Sequence, residues 1–168
     1  LQFFPAKVFI NAYFCRKNKD MKIFSLENGS FKLDGGSMFG VVPKVLWQEV
    51  YPADKNNLVE LATRSMLVED GDRLILMDNG IGDKLDEQFL KHYFLKKDTD
   101  LDTSLAKKGY KPTDITDVIM THLHFDHCGG GVKINEKWQA VLAFPNAAYH
   151  VGQRQWESAM DPNAREKS

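Results

Sequence analysis

Apolar and polar positions alternate in the first half of the chain, which is the pattern of half-buried strands. Residues 22–26 alternate in this way, and residues 31–33 do so again after Asn28-Gly29. Because Asn and Gly both tolerate positive φ, this dipeptide between two such runs predicts a β-hairpin. Residues 58–69 and 73–77 predict a second pair of strands, joined by an Asp-Gly turn.

The periodicity changes after residue 80. Leu85, Phe89 and Tyr93 recur every four residues, and Asp83 can cap the helix that they predict, which runs to about residue 95. The other predicted elements are a helix, a buried strand, a strand and a helix at residues 102–108, 118–120, 147–151 and 152–160. Hairpins followed by alternating helices and strands favour a layered α/β architecture with helices on a mixed sheet.

Residues 37–57 predict a long irregular loop between the two pairs of strands. The segment contains two prolines, yet it is unusually apolar for a loop. Long ordered loops are often lids or binding loops, although apolar loop residues can also pack on the core. If this is a binding loop, the residues expected to border a substrate are Met38, Phe39, Val42, Leu46 and Trp47.

One short segment concentrates side chains that bind metal ions. His122, His124, Asp126 and His127 follow directly after the predicted buried strand. Imidazole nitrogens and carboxylate oxygens are natural ligands of Zn²⁺. Alternate residues of a strand share a face, so His122 and His124 can bind one ion, while Asp126 and His127 can bind a second ion close by.

This segment, with the glycines that follow it at 129 and 130, resembles the H-x-H-x-D-H signature of the metallo-β-lactamase superfamily. The resemblance covers about residues 21–168, and the loop at residues 36–51 is most similar to the lactonase-like and organophosphate-hydrolase-like branch. It implies an αββα sandwich with a dinuclear metal site. It also implies that this chain is the N-terminal half of such a domain, and therefore truncated.

The resemblance implies a metal-dependent hydrolase with two Zn²⁺ ions per complete domain, although other divalent metals are possible. A metal-bound hydroxide would attack small ester-like or lactone-like substrates. His122 and His124 would bind the first metal, and Asp126 and His127 the second. Asp126 could also pass a proton to the leaving group. Asp78, after the strand at residues 73–77, is expected to hold a ligand or the motif loop by hydrogen bonds, or else simply to form a turn.

The family places further metal ligands downstream of this motif, and His150 is the only downstream histidine here. It lies in a predicted strand and is expected to be structural. The metal site is therefore expected to be incomplete in this chain. A truncated, catalytically incompetent fragment is the alternative to an active hydrolase.

Composition narrows the choice of function. Lys and Arg number 22 and Asp and Glu 23, so the formal net charge is −1. This balance argues against a nuclease of the same superfamily, which would need a basic track for phosphates, and against nucleic-acid partners in general. A small-molecule substrate is expected instead. Hydrophobic residues make up 43% of the chain, but the longest apolar cluster is far short of the roughly 20 residues that span a bilayer.

The N-terminus and the cysteines bear on the origin and location of the chain. The chain begins with Leu1, and residues 1–20 place their charges after the apolar run, which is the reverse of a secretory signal. This segment is expected to be a foreign or partial leader, with an N-terminal strand or an atypical export signal as the alternative. Cys15 and Cys128 cannot form a disulfide framework, which favours a cytoplasmic setting. The sequence does not indicate an oligomeric state.

Overall fold

The computed structural model describes residues 20–164, so the predicted leader at residues 1–20 lies outside the described residues except for Asp20. The strands are β1 (Lys22–Asp34), β2 (Leu58–Asp70), β3 (Arg73–Met77), β4 (Asp117–Met120), β5 (Val132–Ile134), β6 (Ala140–Leu142) and β7 (Ala148–Val151). The α-helices are α1 (Gly35–Phe39), α2 (Lys44–Val50), α3 (Glu87–Tyr93), α4 (Leu101–Ala106), α5 (Phe125–Cys128) and α6 (Gln153–Met160). No helix within residues 20–164 is long and apolar enough to cross a membrane.

Five of these strands form one mixed sheet in the order β1-β2-β3-β4-β7. The pairs β1-β2 and β2-β3 are antiparallel, whereas β4 runs parallel to both β3 and β7. Strands β5 and β6 pair separately as a two-stranded ribbon. Because β3 and β4 are parallel neighbours, the residues that follow them emerge at the same edge of the sheet. This edge carries the histidine-rich motif.

The core lies where α4 covers one face of this sheet. A row of apolar side chains crosses all five strands in register, from Phe24 through Leu67, Leu76 and Val118 to Tyr149. The three central members of the row have no exposed surface, and Leu105 of α4 packs against them. Burial of each such side chain stabilises the fold by about 2 kcal/mol. The row also fixes the level at which β3 and β4 end.

The hairpin predicted at Asn28-Gly29 is wrong. The chain continues through this point as the single strand β1, and the dipeptide forms a bulge: Glu27 pairs with Arg64, whereas Ser30 pairs with Ala62. Gly29 supplies the required positive φ of 102°, and the Asn28 amide donates to Ser65 Oγ at 2.7 Å. Pairing with β2 on both sides of the bulge is worth more than a local turn, so the long-range partner decides the conformation.

The irregular loop predicted at residues 37–57 is also partly wrong, because it contains the helices α1 and α2. The Asp34 carboxylate caps α1 by accepting from Ser37 N at 2.9 Å. Pro43 precedes α2 with a φ of −57°, which suits a helix start. The rings of Phe39 and Trp47 stack with centroids 4.6 Å apart and hold the two helices together.

The first predicted helix is shorter than expected, since α3 begins at Glu87 rather than near Asp83. The preceding residues are held elsewhere. Gly82 has a φ of +74° and lies against the backbone of Gly129 and Gly130, and Lys84 Nζ donates to Gly129 O. These contacts tie the segment to the histidine-rich motif, so it is not available to extend the helix.

Gly29→Ala tests the bulge. A Cβ at this position would collide with the carbonyl oxygen of Lys96, in addition to the strain of a positive φ. We expect the substitution to lower the free energy of unfolding by about 3 kcal/mol in urea denaturation. Gly71→Ala is the matched control, because Gly71 also has a positive φ but faces open space; its cost is expected to be about 1 kcal/mol. Equal costs at both positions would contradict the close approach described for Gly29.

Candidate metal centre

The structure brings together the three histidines of the motif. His122 follows β4, His124 precedes α5, and His127 lies within α5. The ring centroid of His122 is 4.0 Å from that of His127 and 4.7 Å from that of His124. The short helix α5 turns the chain back on itself, so that residues on either side of it meet in one place.

The carboxylate of Asp78 joins this cluster to the end of β3. It accepts hydrogen bonds from Thr121 N at 2.8 Å, from Thr121 Oγ1 at 2.8 and 3.0 Å, and from His127 Nδ1 at 2.8 Å. Asp78 is only 9% exposed, and its φ of +56° is unusual for a residue other than glycine. The left-handed conformation is held in place by these bonds.

The bond from His127 to Asp78 sets the tautomer of the neutral His127 ring. A carboxylate can only accept, so Nδ1 donates the hydrogen in this bond, and in the neutral ring Nε2 keeps its lone pair. Nε2 lies 3.4 Å from Asp126 Oδ2. The motif therefore presents an imidazole nitrogen and a carboxylate oxygen side by side.

Backbone groups of the turn after β3 hold the motif loop in place by hydrogen bonds. Asn79 N donates to His127 O at 2.8 Å, and Gly130 N donates to Gly80 O at 2.9 Å. A Cβ on Gly129 or Gly130 would collide with a carbonyl oxygen of this turn, at Ile81 or Asn79 respectively. Only glycine allows the two backbones to approach this closely.

Aromatic rings pack beside the histidines. Phe125, within the motif, lies 4.7 Å from Tyr93 and 6.2 Å from Phe31, measured between ring centroids. Phe31 of β1 is 2% exposed and anchors the group. The start of α5 is thus packed against both β1 and α3.

The donors fit a divalent metal in chemical type. Burial, followed by the nearby charges of His127 and His124, lowers the pKa of His122. The lowered pKa keeps this ring neutral, and neutral imidazole is the form that binds metal. Among residues 20–164, however, no three His, Cys, Asp or Glu side chains are arranged as a ready-made metal site. The motif therefore supplies donors of the right chemical type with their rings close together, although the described residues do not form a three-ligand site.

The other candidate residues are the five apolar side chains predicted to border a substrate, and His150. Phe39 and Trp47 stack on each other, and Trp47 is buried, whereas Met38, Val42 and Leu46 are 44%, 45% and 60% exposed. That these five residues border the histidine cleft stays a prediction. His150 Nε2 lies 2.9 Å from Oδ1 of Asp117, the first residue of β4.

Comparison with known families agrees with this geometry. A sequence model of the metallo-β-lactamase superfamily matches residues 58–162. The chain belongs to the metallo-β-lactamase superfamily. The predicted α/β fold of this superfamily is thereby confirmed, and the matched residues include the whole histidine-rich motif.

Individual superfamily members resemble the chain over part of their length. A probable metallo-hydrolase of Mycobacterium bovis is 30% identical over an alignment of 119 residues, which covers 65% of this chain and 35% of that protein. The crystal structure of a probable metal-dependent hydrolase from Staphylococcus aureus has 36% identity and a TM-score of 0.81, covering 90% of this chain and 54% of that one. AidC, a dizinc quorum-quenching lactonase in complex with a product, has 25% identity and a TM-score of 0.64, covering 86% of this chain and 46% of that one.

Asp78 was expected to hold a ligand or the motif loop, but Thr121 was not predicted from the sequence to be its partner. The contacts that Asn79 and Gly80 make with the backbone of the motif loop were not predicted either. The adjacency of the Asp-Asn-Gly turn and the motif follows from parallel pairing of β3 and β4, which hydrophobic patterns alone do not specify. A prediction that β3 pairs with β4 would have placed the Asp-Asn-Gly turn beside the motif.

Asp78→Ala tests the junction between these strands. It removes the acceptor of Thr121 N, Thr121 Oγ1 and His127 Nδ1, so we expect the free energy of unfolding to fall by about 3 kcal/mol in urea denaturation. Asp78→Asn keeps one acceptor oxygen and tolerates the left-handed φ, so its loss should be smaller. Asp72→Ala, in the exposed turn between β2 and β3, is the control. A cost at Asp78 no larger than at Asp72 would show that these bonds do not hold the fold.

Proposed function

We propose that the protein is a dinuclear, zinc-type hydrolase of small lactone-like or ester-like substrates. The observation that carries the proposal is the contact of the His122 ring with those of His124 and His127, beside Asp126. Membership of the metallo-β-lactamase superfamily and the likeness to a dizinc lactonase support it. Because the chain spans only about half of that lactonase, its activity, metal and substrate are all part of the proposal.

His122 and His124 would bind one metal ion, and Asp126 and His127 the other. Two protein ligands per ion are one fewer than a catalytic zinc usually has, so further ligands are required from outside this motif. Asp78 would orient His127 through the bond to Nδ1 and leave Nε2 for the metal. His150 is engaged with Asp117 and takes no part in this set.

The bound ions would polarise the scissile carbonyl and make water acidic enough to act as the nucleophile at neutral pH. Asp126 lies beside His127, where its second carboxylate oxygen could hold a proton and pass it to the leaving group. Phe125, which lies between His124 and Asp126 in the sequence, packs with the rings of Tyr93 and Phe31. These rings would form an apolar wall on one side of the reacting centre and keep water away from it.

The substrate class follows from apolar surface and from the relatives. The exposed side chains of Met38, Val42 and Leu46 would suit an acyl chain or aryl group, and they lie on the segment in which Phe39 and Trp47 stack. AidC, which carries a homoserine product in its structure, is described as a lactonase. An N-acyl lactone is therefore the first substrate to try.

Substitution of the motif histidines tests the metal proposal. His122→Ala, His124→Ala and His127→Ala should each lower the bound zinc and reduce lactone turnover by more than about 100-fold, since loss of a ligand exceeds the loss of a supporting residue. Metal content is measured by elemental analysis and turnover by proton release. His92→Ala on the exposed face of α3 is the matched control and should change neither.

The same measurement decides between the hydrolase and its alternative. The alternative is a catalytically incompetent fragment, because the motif by itself supplies only two protein ligands per ion. Turnover of this chain is therefore compared with that of any longer form that its gene encodes. Zinc-dependent turnover in neither form would reject the hydrolase, whereas equal turnover in both would show that residues 1–168 already hold a complete site.

Leu46→Ala tests whether the apolar segment at residues 37–57 contacts the substrate. If Leu46 contacts an acyl chain, KM for a long-chain lactone should rise about tenfold, corresponding to about 1.4 kcal/mol, while kcat stays the same. Val50→Ala on the same helix is the control, because Val50 is also largely exposed but was not predicted to border the substrate. Equal effects of the two substitutions, or equal KM values for short and long chains in both, would remove Leu46 from the substrate site.

A further inference from the structure

We propose that Thr121 is a positioning residue that passes the influence of Asp78 to His122 and fixes the tautomer of that ring. The inference rests on the proposed metal-binding function, but it concerns residues of this chain alone. Thr121 is the first residue after β4 and directly precedes His122. Its hydroxyl contacts the Asp78 carboxylate on one side and the His122 ring on the other.

The hydrogen count at the Thr121 hydroxyl determines the direction of each bond. Oγ1 lies 2.8 Å from Asp78 Oδ2 and 3.0 Å from Oδ1, and a carboxylate can only accept. The single hydroxyl hydrogen is therefore directed at Asp78. Oγ1 also lies 3.1 Å from His122 Nδ1, where it has only lone pairs to offer. His122 Nδ1 must carry the hydrogen in this bond.

The consequence is that His122 Nε2 keeps its lone pair. His127 reaches the same state by donating from Nδ1 directly to Asp78 at 2.8 Å. One carboxylate thus sets the tautomer of two neighbouring rings, one by direct contact and one through a hydroxyl. A hydrogen bond at one imidazole nitrogen decides which nitrogen is left to bind metal.

The Thr121 hydroxyl can be removed without removing the backbone bond from Thr121 to Asp78. Thr121 N donates independently to Asp78 Oδ1 at 2.8 Å. Thr121→Val keeps this backbone bond and nearly the same side-chain shape, and it removes only the hydroxyl. Thr121→Ser keeps the hydroxyl and removes only the methyl group. We call the contact of the Thr121 hydroxyl with both Asp78 and His122 the relay. Comparison of the two variants separates the effect of the relay from the effect of side-chain packing.

The experiment measures the tautomer of His122 directly. Long-range ¹H–¹⁵N NMR of the metal-free intact protein, at a pH where the ring is neutral, should show the hydrogen on Nδ1 in the wild type and in Thr121→Ser. In Thr121→Val the hydrogen should move to Nε2 in a large fraction of molecules. Zinc affinity should fall about tenfold in Thr121→Val and recover in Thr121→Ser.

The outcomes separate this inference from the proposed function. A hydrogen on Nε2 in the wild type, or the same tautomer in wild type and Thr121→Val, would overturn the relay. A tautomer change without any change in zinc affinity would overturn its role toward the metal. If no form binds zinc but the tautomer still depends on the hydroxyl, the relay stands and the proposed metal function fails.

Discussion

The organisation of the candidate site depends on one carboxylate placed between two parallel strands. Asp78 ends β3, yet its hydrogen-bond partners lie after β4 and within α5. An acceptor that is 9% exposed and bonded to three donor groups is costly to leave unsatisfied. Asp78 therefore adopts a left-handed backbone conformation. Its hydrogen bonds in turn fix the positions of Thr121 and His127.

The core makes this arrangement possible. The apolar row through Leu67, Leu76 and Val118 sets the register between β3 and β4, and with it the height of Asp78 relative to Thr121. A slip of one residue would turn Leu76 and Val118 to the other face of the sheet. The burial energy of large side chains thus holds the short polar bonds of the motif in register.

Local signals predicted much of the fold because they reflect local physics. The alternation in β2 and β3, the apolar run of β4 and the histidine spacing all describe how a segment meets its surroundings. The signals failed where a distant partner decided the outcome. Asn28-Gly29 has the chemistry of a hairpin turn, but strand β2 continues past it and makes it a bulge. Asp83 has the chemistry of a helix cap, but its neighbour Lys84 is held by Gly129. The role of the Thr121 hydroxyl was out of reach for the same reason, since it depends on which strand lies beside β4.

The backbone contacts that hold the motif loop do not depend on which donor side chains the loop carries. The loop is held by backbone groups, through Asn79 N to His127 O and Gly130 N to Gly80 O, and by the close approach of Gly129 to Ile81. None of these contacts uses the side chains of His122, His124 or Asp126. Substitution of those three side chains would therefore change the proposed metal ligands without redirecting the chain. A scaffold of this kind allows the set of donor side chains to vary while the architecture around it stays the same.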